Sequence, residues 1–128
     1  MSSTNQYTMR DPVTQYPRPP FEKQPQPSPG LARDMKPRPD HGEDSYVGFG
    51  RLKGRKALII GGGQGMGESS ALFLARAGCD VALVDVVPER ADAVGQRIAA
   101  LGRQGFTITG DVLDDAVGVK EKWNPTDA

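Results

Sequence analysis

Lys56 to Gly67 reads KALIIGGGQGMG, a short aliphatic run that passes straight into a cluster of glycines. Ala57 to Ile60 has the branched, apolar content of a buried strand, and Gly61, Gly65 and Gly67 follow at fixed spacing before a helical pattern begins. Glycine at such positions allows positive φ in a tight turn, close backbone approach to a pyrophosphate, and close packing of a helix on a strand. A helix that starts there aims unpaired N–H groups and the positive end of its dipole at an anion. The stretch therefore predicts a phosphate cradle that needs no basic side chain.

A glycine triplet alone also fits a plain loop, so the surroundings decide. A second strand, Asp80 to Val84, ends in Asp85, eighteen residues past Gly67. That is close to the roughly 20-residue offset of a ribose-binding acid in dinucleotide-binding folds. Between them the pattern predicts a helix over about Met66 to Ala77, with Gly67, Ser70, Ala71 and Ala75 allowing close approach to the sheet. Leu74 and one edge of Phe73 supply bulk, and Gly78 ends the helix. Ala82, Leu83 and Val84 are apolar in succession, as expected of a parallel strand covered on both faces. Pro88 suits the first turn of a second helix, in which Ala91, Val94, Ile98 and Leu101 form one stripe and Gly102 marks the end. Gly95 weakens that helix by about 1 kcal/mol relative to alanine. Phe106 to Thr109 gives a third strand, followed by Gly110, Asp111 and Val112. Strand, helix, strand, helix, strand with right-handed crossovers is the first βαβαβ half of a Rossmann-type α/β fold, a doubly wound parallel sheet with strand order 3-2-1.

The rest of the chain is different. Of the eleven prolines, nine fall in the first fifty residues, where aliphatic side chains are scarce. Residues 1–50 are expected to form a Pro-rich extended or disordered arm, 51–115 the half domain, and 116–128, with Trp123 and Pro125, an irregular tail. Tyr16, Phe21, Tyr46 and Phe49 would anchor the arm if it docks on a neighbouring subunit. Sixteen basic and sixteen acidic residues cancel, so charge points to no nucleic-acid or membrane partner. The N-terminus lacks the apolar stretch of a signal peptide and no run is long enough to span a bilayer, which makes a cytoplasmic protein the expectation. Cys79 is the single cysteine and His41 the single histidine, which excludes an internal disulfide and a Cys/His metal centre; Cys79 reads as a small core residue.

Leu52 to Asp115 resembles the start of the short-chain dehydrogenase/reductases. Gly61-x-x-x-Gly65-x-Gly67 matches their cofactor loop, Asp85 the end of their second strand, and Asp111-Val112 the residues after their third. The arm, with PQPSPG and DHGEDSYVGFGRLKGRKALI, also looks like the N-terminal extension of one bacterial subgroup. The resemblance implies that Gly61, Gln64, Gly65, Met66 and Gly67 contact a nicotinamide dinucleotide, Asp85 its adenosine ribose, and Asp111 with Val112 its adenine. NAD is expected rather than NADP, because Asp85 would repel a 2′-phosphate and neither Gln64 nor Val86 supplies an offsetting charge. The implied reaction is hydride transfer between the nicotinamide and a small-molecule alcohol or carbonyl, in a homo-oligomer, expected to be a tetramer.

Two departures qualify this. Ile60 stands where the family usually has Thr, which removes a local hydrogen bond in the loop. The family's Asn-Asn-Ala-Gly segment, its Ser and its Tyr-x-x-x-Lys belong to later parts of the fold and do not occur here; four residues after Tyr7, Tyr16 and Tyr46 stand Asp11, Pro20 and Gly50. No catalytic residue is assigned. The chain reads as an oxidoreductase whose catalytic half is lost by truncation, frameshift or incomplete gene prediction. The alternative is a non-catalytic nucleotide-binding or subunit-interaction module. With no strand beyond the third, Leu58, Ile60 and Leu83 are expected to lose part of their cover and Lys56 to Ile60 to form an exposed edge.

Overall fold

The computed structural model describes residues 5–39, 41–43 and 45–114, so the tail predicted over 116–128 lies outside the described residues. Contacts divide the chain into two units, the first Met1–Ser45 and the second beginning at Tyr46. Among its described residues the first unit has turns, a single 3₁₀ turn at Ala32–Asp34, and no buried apolar side chain. Tyr7, Met9, Val13, Tyr16 and Phe21 are all more than half exposed. A segment of this composition has too little to bury to build a core.

The second unit runs β1 (Lys56–Ile60), α1 (Gly65–Arg76), β2 (Asp80–Asp85), α2 (Pro88–Ala100) and β3 (Gly105–Thr109). The three strands are parallel, with β2 in the middle. Ala57, Val81 and Gly105 form one cross-strand row and Ile59, Leu83 and Thr107 another. These rows face the helices. Ala71, Leu72 and Ala75 of α1 and Val94 and Ile98 of α2 join Cys79, Val81 and Leu83 in one buried cluster, with Ala57, Ile59, Leu74 and Leu101 packed against it.

Both helices end in the same way. Gly78 (φ +107°) donates to the Ala75 carbonyl and Cys79 to that of Leu74; Gly102 (φ +76°) donates to Ala99 and Arg103 to Ile98. Each is a Schellman closure that satisfies the last carbonyls of its helix.

Three expectations change. In α1 the buried face is Ala71, Leu72 and Ala75; Ser70 is exposed, and Leu72, 2% exposed, joins Leu74, which packs against the core as expected, in supplying the bulk. The helix begins at Gly65, and spacings of 3, 4 and 7 from Glu68 select that face. Leu83 keeps its cover, because it points to the helices and is fully buried, while Leu58 (43% exposed) and Ile60 (61%) point to the opposite face and are open as expected. Tyr46 packs its ring on Phe73 at 5.1 Å between centroids, so within this chain it anchors the residues before β1 to α1.

Gly95 has a packing reason. A Cβ there would lie 2.8 Å from Thr107 Cγ2, and one on Gly105 would lie 2.9 Å from the Gly95 carbonyl oxygen. The pair lets α2 sit directly on β3. Two salt bridges tie the elements together: Arg97 of α2 with Glu68 of α1, and Arg103 with Asp80 at 2.6 Å.

Candidate functional site

The segments that follow the strands of a parallel sheet all leave its C-terminal edge, and here the three are hydrogen-bonded together around β2. Gly61 and Gly62 donate to the Val84 carbonyl at 2.7 and 3.2 Å, which fastens the start of the glycine loop to β2. Gly110, just past β3, donates to the Asp85 carbonyl at 3.0 Å. The loop after β1, the end of β2 and the turn after β3 thus converge on Asp85.

The loop conformation depends on its glycines. Gly61 and Gly65 have φ of +74° and +57°, the left-handed region that side chains disfavour. Gly67 is required for another reason: a Cβ on it would stand 2.1 Å from the Gly61 carbonyl oxygen. The close approach is between the first turn of α1 and the loop's own backbone, a tighter constraint than helix-on-strand packing. Gln64 is the N-cap in extended conformation, without a side-chain capping bond. The first intrahelical bond runs from Glu68 N–H to Gln64 C=O at 3.3 Å. The N–H groups of Gly65, Met66 and Gly67 precede it and form the donor set that a helix start offers to an anion. Gln64, Gly65 and Met66 are exposed, Met66 almost wholly.

Asp85 closes β2 and is 7% exposed. Its Oδ2 accepts the Gly63 N–H at 2.8 Å and its Oδ1 the Val87 N–H at 3.0 Å. One carboxylate therefore joins the glycine loop, the end of β2 and the N-cap of α2. Asp111 is exposed and folds its own turn, with Oδ1 accepting the Leu113 N–H at 2.9 Å and its carbonyl the Asp114 N–H at 3.0 Å. Val112 is half exposed beside it. Gly67 thus abuts Gly61, Gly61 is bonded to Val84 and Asp85 reaches the same loop through Gly63; Gln64 to Met66 border them on the helix start, and Asp111 and Val112 follow the Gly110 link.

Two residues were missed by the sequence reading. A Cβ on Gly63 would lie 2.6 Å from Asp85 Oδ2 and 2.7 Å from Arg90 Cβ, so Gly63 is sterically required and Arg90 stands at the same corner. The triplet spacing skips Gly63. Arg90 is found by counting from Pro88, the first residue of α2, to the third position of its first turn.

Cys79 is buried at the entrance of β2, where desolvation, followed by the charge of Asp80, pushes its thiol pKa up. Burial and a raised pKa fit the core role. Among the described residues no group of His, Cys, Asp and Glu could hold a metal ion, and no helix is long and apolar enough to cross a membrane.

With this geometry in view, the short chain dehydrogenase family model matches residues 55–121. This chain belongs to the short-chain dehydrogenase/reductase family. It is 45% identical over 109 residues to the uncharacterized oxidoreductase YghA of Escherichia coli (strain K12), covering 84% of this chain and 37% of that protein. It is 47% identical over 98 residues to the uncharacterized oxidoreductase YhxD of Bacillus subtilis (strain 168), covering 75% and 33%. Among solved structures, carveol dehydrogenase from Mycobacterium avium in complex with NAD aligns with a TM-score of 0.50 at 29% identity, over 52% of this chain and 28% of that one. The chain spans about a third of the length of these curated relatives. The family binds NAD(P), and the parallel sheet with its two helices is the cofactor-binding start of that fold.

Proposed function

We propose that this chain is the NAD-binding part of an oxidoreductase acting on a small-molecule alcohol or carbonyl compound. The observation that carries the reading is Asp85: a nearly buried carboxylate held 2.8 Å from the glycine-loop backbone, at the C-terminal edge of the central strand. Gly65, Met66 and Gly67 N–H groups would hold the pyrophosphate, with Gly61 and Gln64 shaping the loop. Asp85 would accept from the ribose hydroxyls, and Asp111 and Val112 would border the adenine. The nicotinamide, when bound, supplies or takes up the hydride. The proton that must accompany it needs a donor outside this pattern, since none of the three tyrosines has a lysine four residues on. The 128 residues themselves therefore bind and orient the dinucleotide.

NAD is favoured over NADP because a 2′-phosphate would meet the Asp85 charge at hydrogen-bonding distance, where repulsion in a partly desolvated corner amounts to a few kcal/mol. Calorimetric titration of the chain with both nucleotides tests this. NAD should bind at least about tenfold more tightly. Equal affinities would remove Asp85 as the determinant, and no binding of either would leave the cradle without a function in this chain.

The first unit supports a proposal about assembly. Its exposed aromatic residues Tyr16 and Phe21 suit docking on a neighbouring copy in a homo-oligomer. Light scattering on the chain with and without residues 1–45 checks it, and an unchanged number of subunits would exclude docking.

A further inference from the structure

The ribose reading leaves the two hydrogen bonds that Asp85 already makes without a purpose. Both oxygens of this carboxylate are engaged by backbone N–H groups, and both donors belong to segments that flank the cradle: Gly63 in the middle of the loop and Val87 at the N-cap of α2. Gly63 itself is buried, and any side chain on it would collide with Asp85 Oδ2 and Arg90 Cβ. Gly61 and Gly65, at the two ends of the loop, have positive φ, a region that glycine exchanges freely with negative φ, so torsional preference alone does not hold the loop in one shape.

We propose that Asp85 is a positioning residue that holds the glycine loop in its binding-competent shape through Gly63, independently of any contact with ribose. The carboxylate acts as a fixed post. Charge-assisted bonds from two backbone N–H groups hold its plane, and each oxygen keeps a second lone-pair site. A post fixed on both sides cannot swing aside to admit a 2′-phosphate, so the same two bonds that shape the loop enforce the cofactor choice. This second consequence rests on the dinucleotide reading above; the loop-holding role does not. Gly63, outside the Gly-x-x-x-Gly-x-Gly pattern, is the residue that admits the carboxylate.

The test uses the whole 128-residue chain, first without nucleotide, as wild type, Asp85→Asn, Asp85→Ala and Gly63→Ala. Amide hydrogen exchange is followed by NMR at Gly63 and Val87, with Val81 and Ala82 in the central strand as internal references. The Gly63 amide should be protected in wild type and exchange at least about tenfold faster in Asp85→Ala, with Val81 and Ala82 unchanged. Asp85→Asn, which keeps one acceptor oxygen, should fall between. NAD titration then separates positioning from simple ribose contact. Asp85→Ala and Gly63→Ala should each weaken binding, and the double variant should be no weaker than the worse single, because both remove one contact. An unprotected Gly63 amide in wild type, as in a chain with no protected amides at all, overturns the proposal, as does exchange unaltered by Asp85→Ala or effects on NAD that add. If the Gly63 amide responds as stated and NAD does not bind, the loop-holding role stands and the cofactor reading falls.

Discussion

The two faces of the β1–β2–β3 sheet carry similarly apolar rows and differ in what lies on them. On the helix face, Val81 and Leu83 are fully buried beneath Leu72, Val94 and Ile98. On the other face the rows are Leu58–Ala82–Phe106 and Ile60–Val84–Ile108. There the central Ala82 and Val84 are buried between their neighbours, while Leu58, Phe106 and Ile60 are 43, 37 and 61% exposed. Neither α1 nor α2 lies on that face. Apolar content in a strand thus states what a face can bury, and only the connections state whether anything is laid across it.

The contrast predicts a large difference in truncation cost. Leu83→Ala or Ile98→Ala should destabilise the second unit by about 2 to 5 kcal/mol, against about 1 kcal/mol or less for Ile60→Ala, measured by denaturant unfolding. Equal costs would show that the second face is as well covered as the first.

Charge on the open face should improve behaviour rather than harm it. Leu58→Lys with Ile60→Lys should reduce self-association in light scattering and shift the melting temperature little, since β1 is an edge whose outer N–H and C=O groups invite pairing. A strong loss of stability would mean these side chains are buried in the working protein.

The helix face can be probed at its tightest point. Gly95→Ala gains about 1 kcal/mol of helix propensity in an open helix, yet here its Cβ would press on Thr107 Cγ2 at 2.8 Å, so the variant should be neutral or destabilised. Adding Thr107→Ser removes that methyl and keeps a hydroxyl for the bond to Asp92 at 2.8 Å, so the double variant should recover. Failure to recover would place the clash with backbone instead.

The smallest effect is at Cys79. Its folded pKa is raised above the ordinary 9.0 by burial, so the neutral thiol contributes its full stability below about pH 9 and loses it as pH rises through the folded value. Cys79→Ala should flatten the alkaline limb of a stability-against-pH curve, and an unchanged limb would show that the thiol does not titrate there.

The element order, the parallel sheet and the glycine closures were legible in the chain because each rests on local chemistry: branched runs, a proline at the first turn of α2, and Gly78 and Gly102 one position past their helices. The α1 face was read correctly at Ala71, Leu74 and Ala75 and missed at one position, where Leu72 rather than Ser70 is buried, because small residues on both sides of that helix blur the stripe. Gly63 was not legible, since nothing local marks a glycine needed by a carboxylate twenty-two residues away.

The sequence by itself determined that residues 56 to 109 alternate strand and helix around a glycine loop with an acid at the end of the second strand, because backbone propensity and periodicity act over a few residues. Only the tertiary structure decided which face of the sheet is covered, why Gly67 and Gly95 cannot carry side chains, and that Asp85 is bonded to the loop through Gly63. These depend on atoms brought within 3 Å by crossovers of about twenty residues, and steric exclusion and hydrogen bonding at that range exist only once the chain has closed on itself.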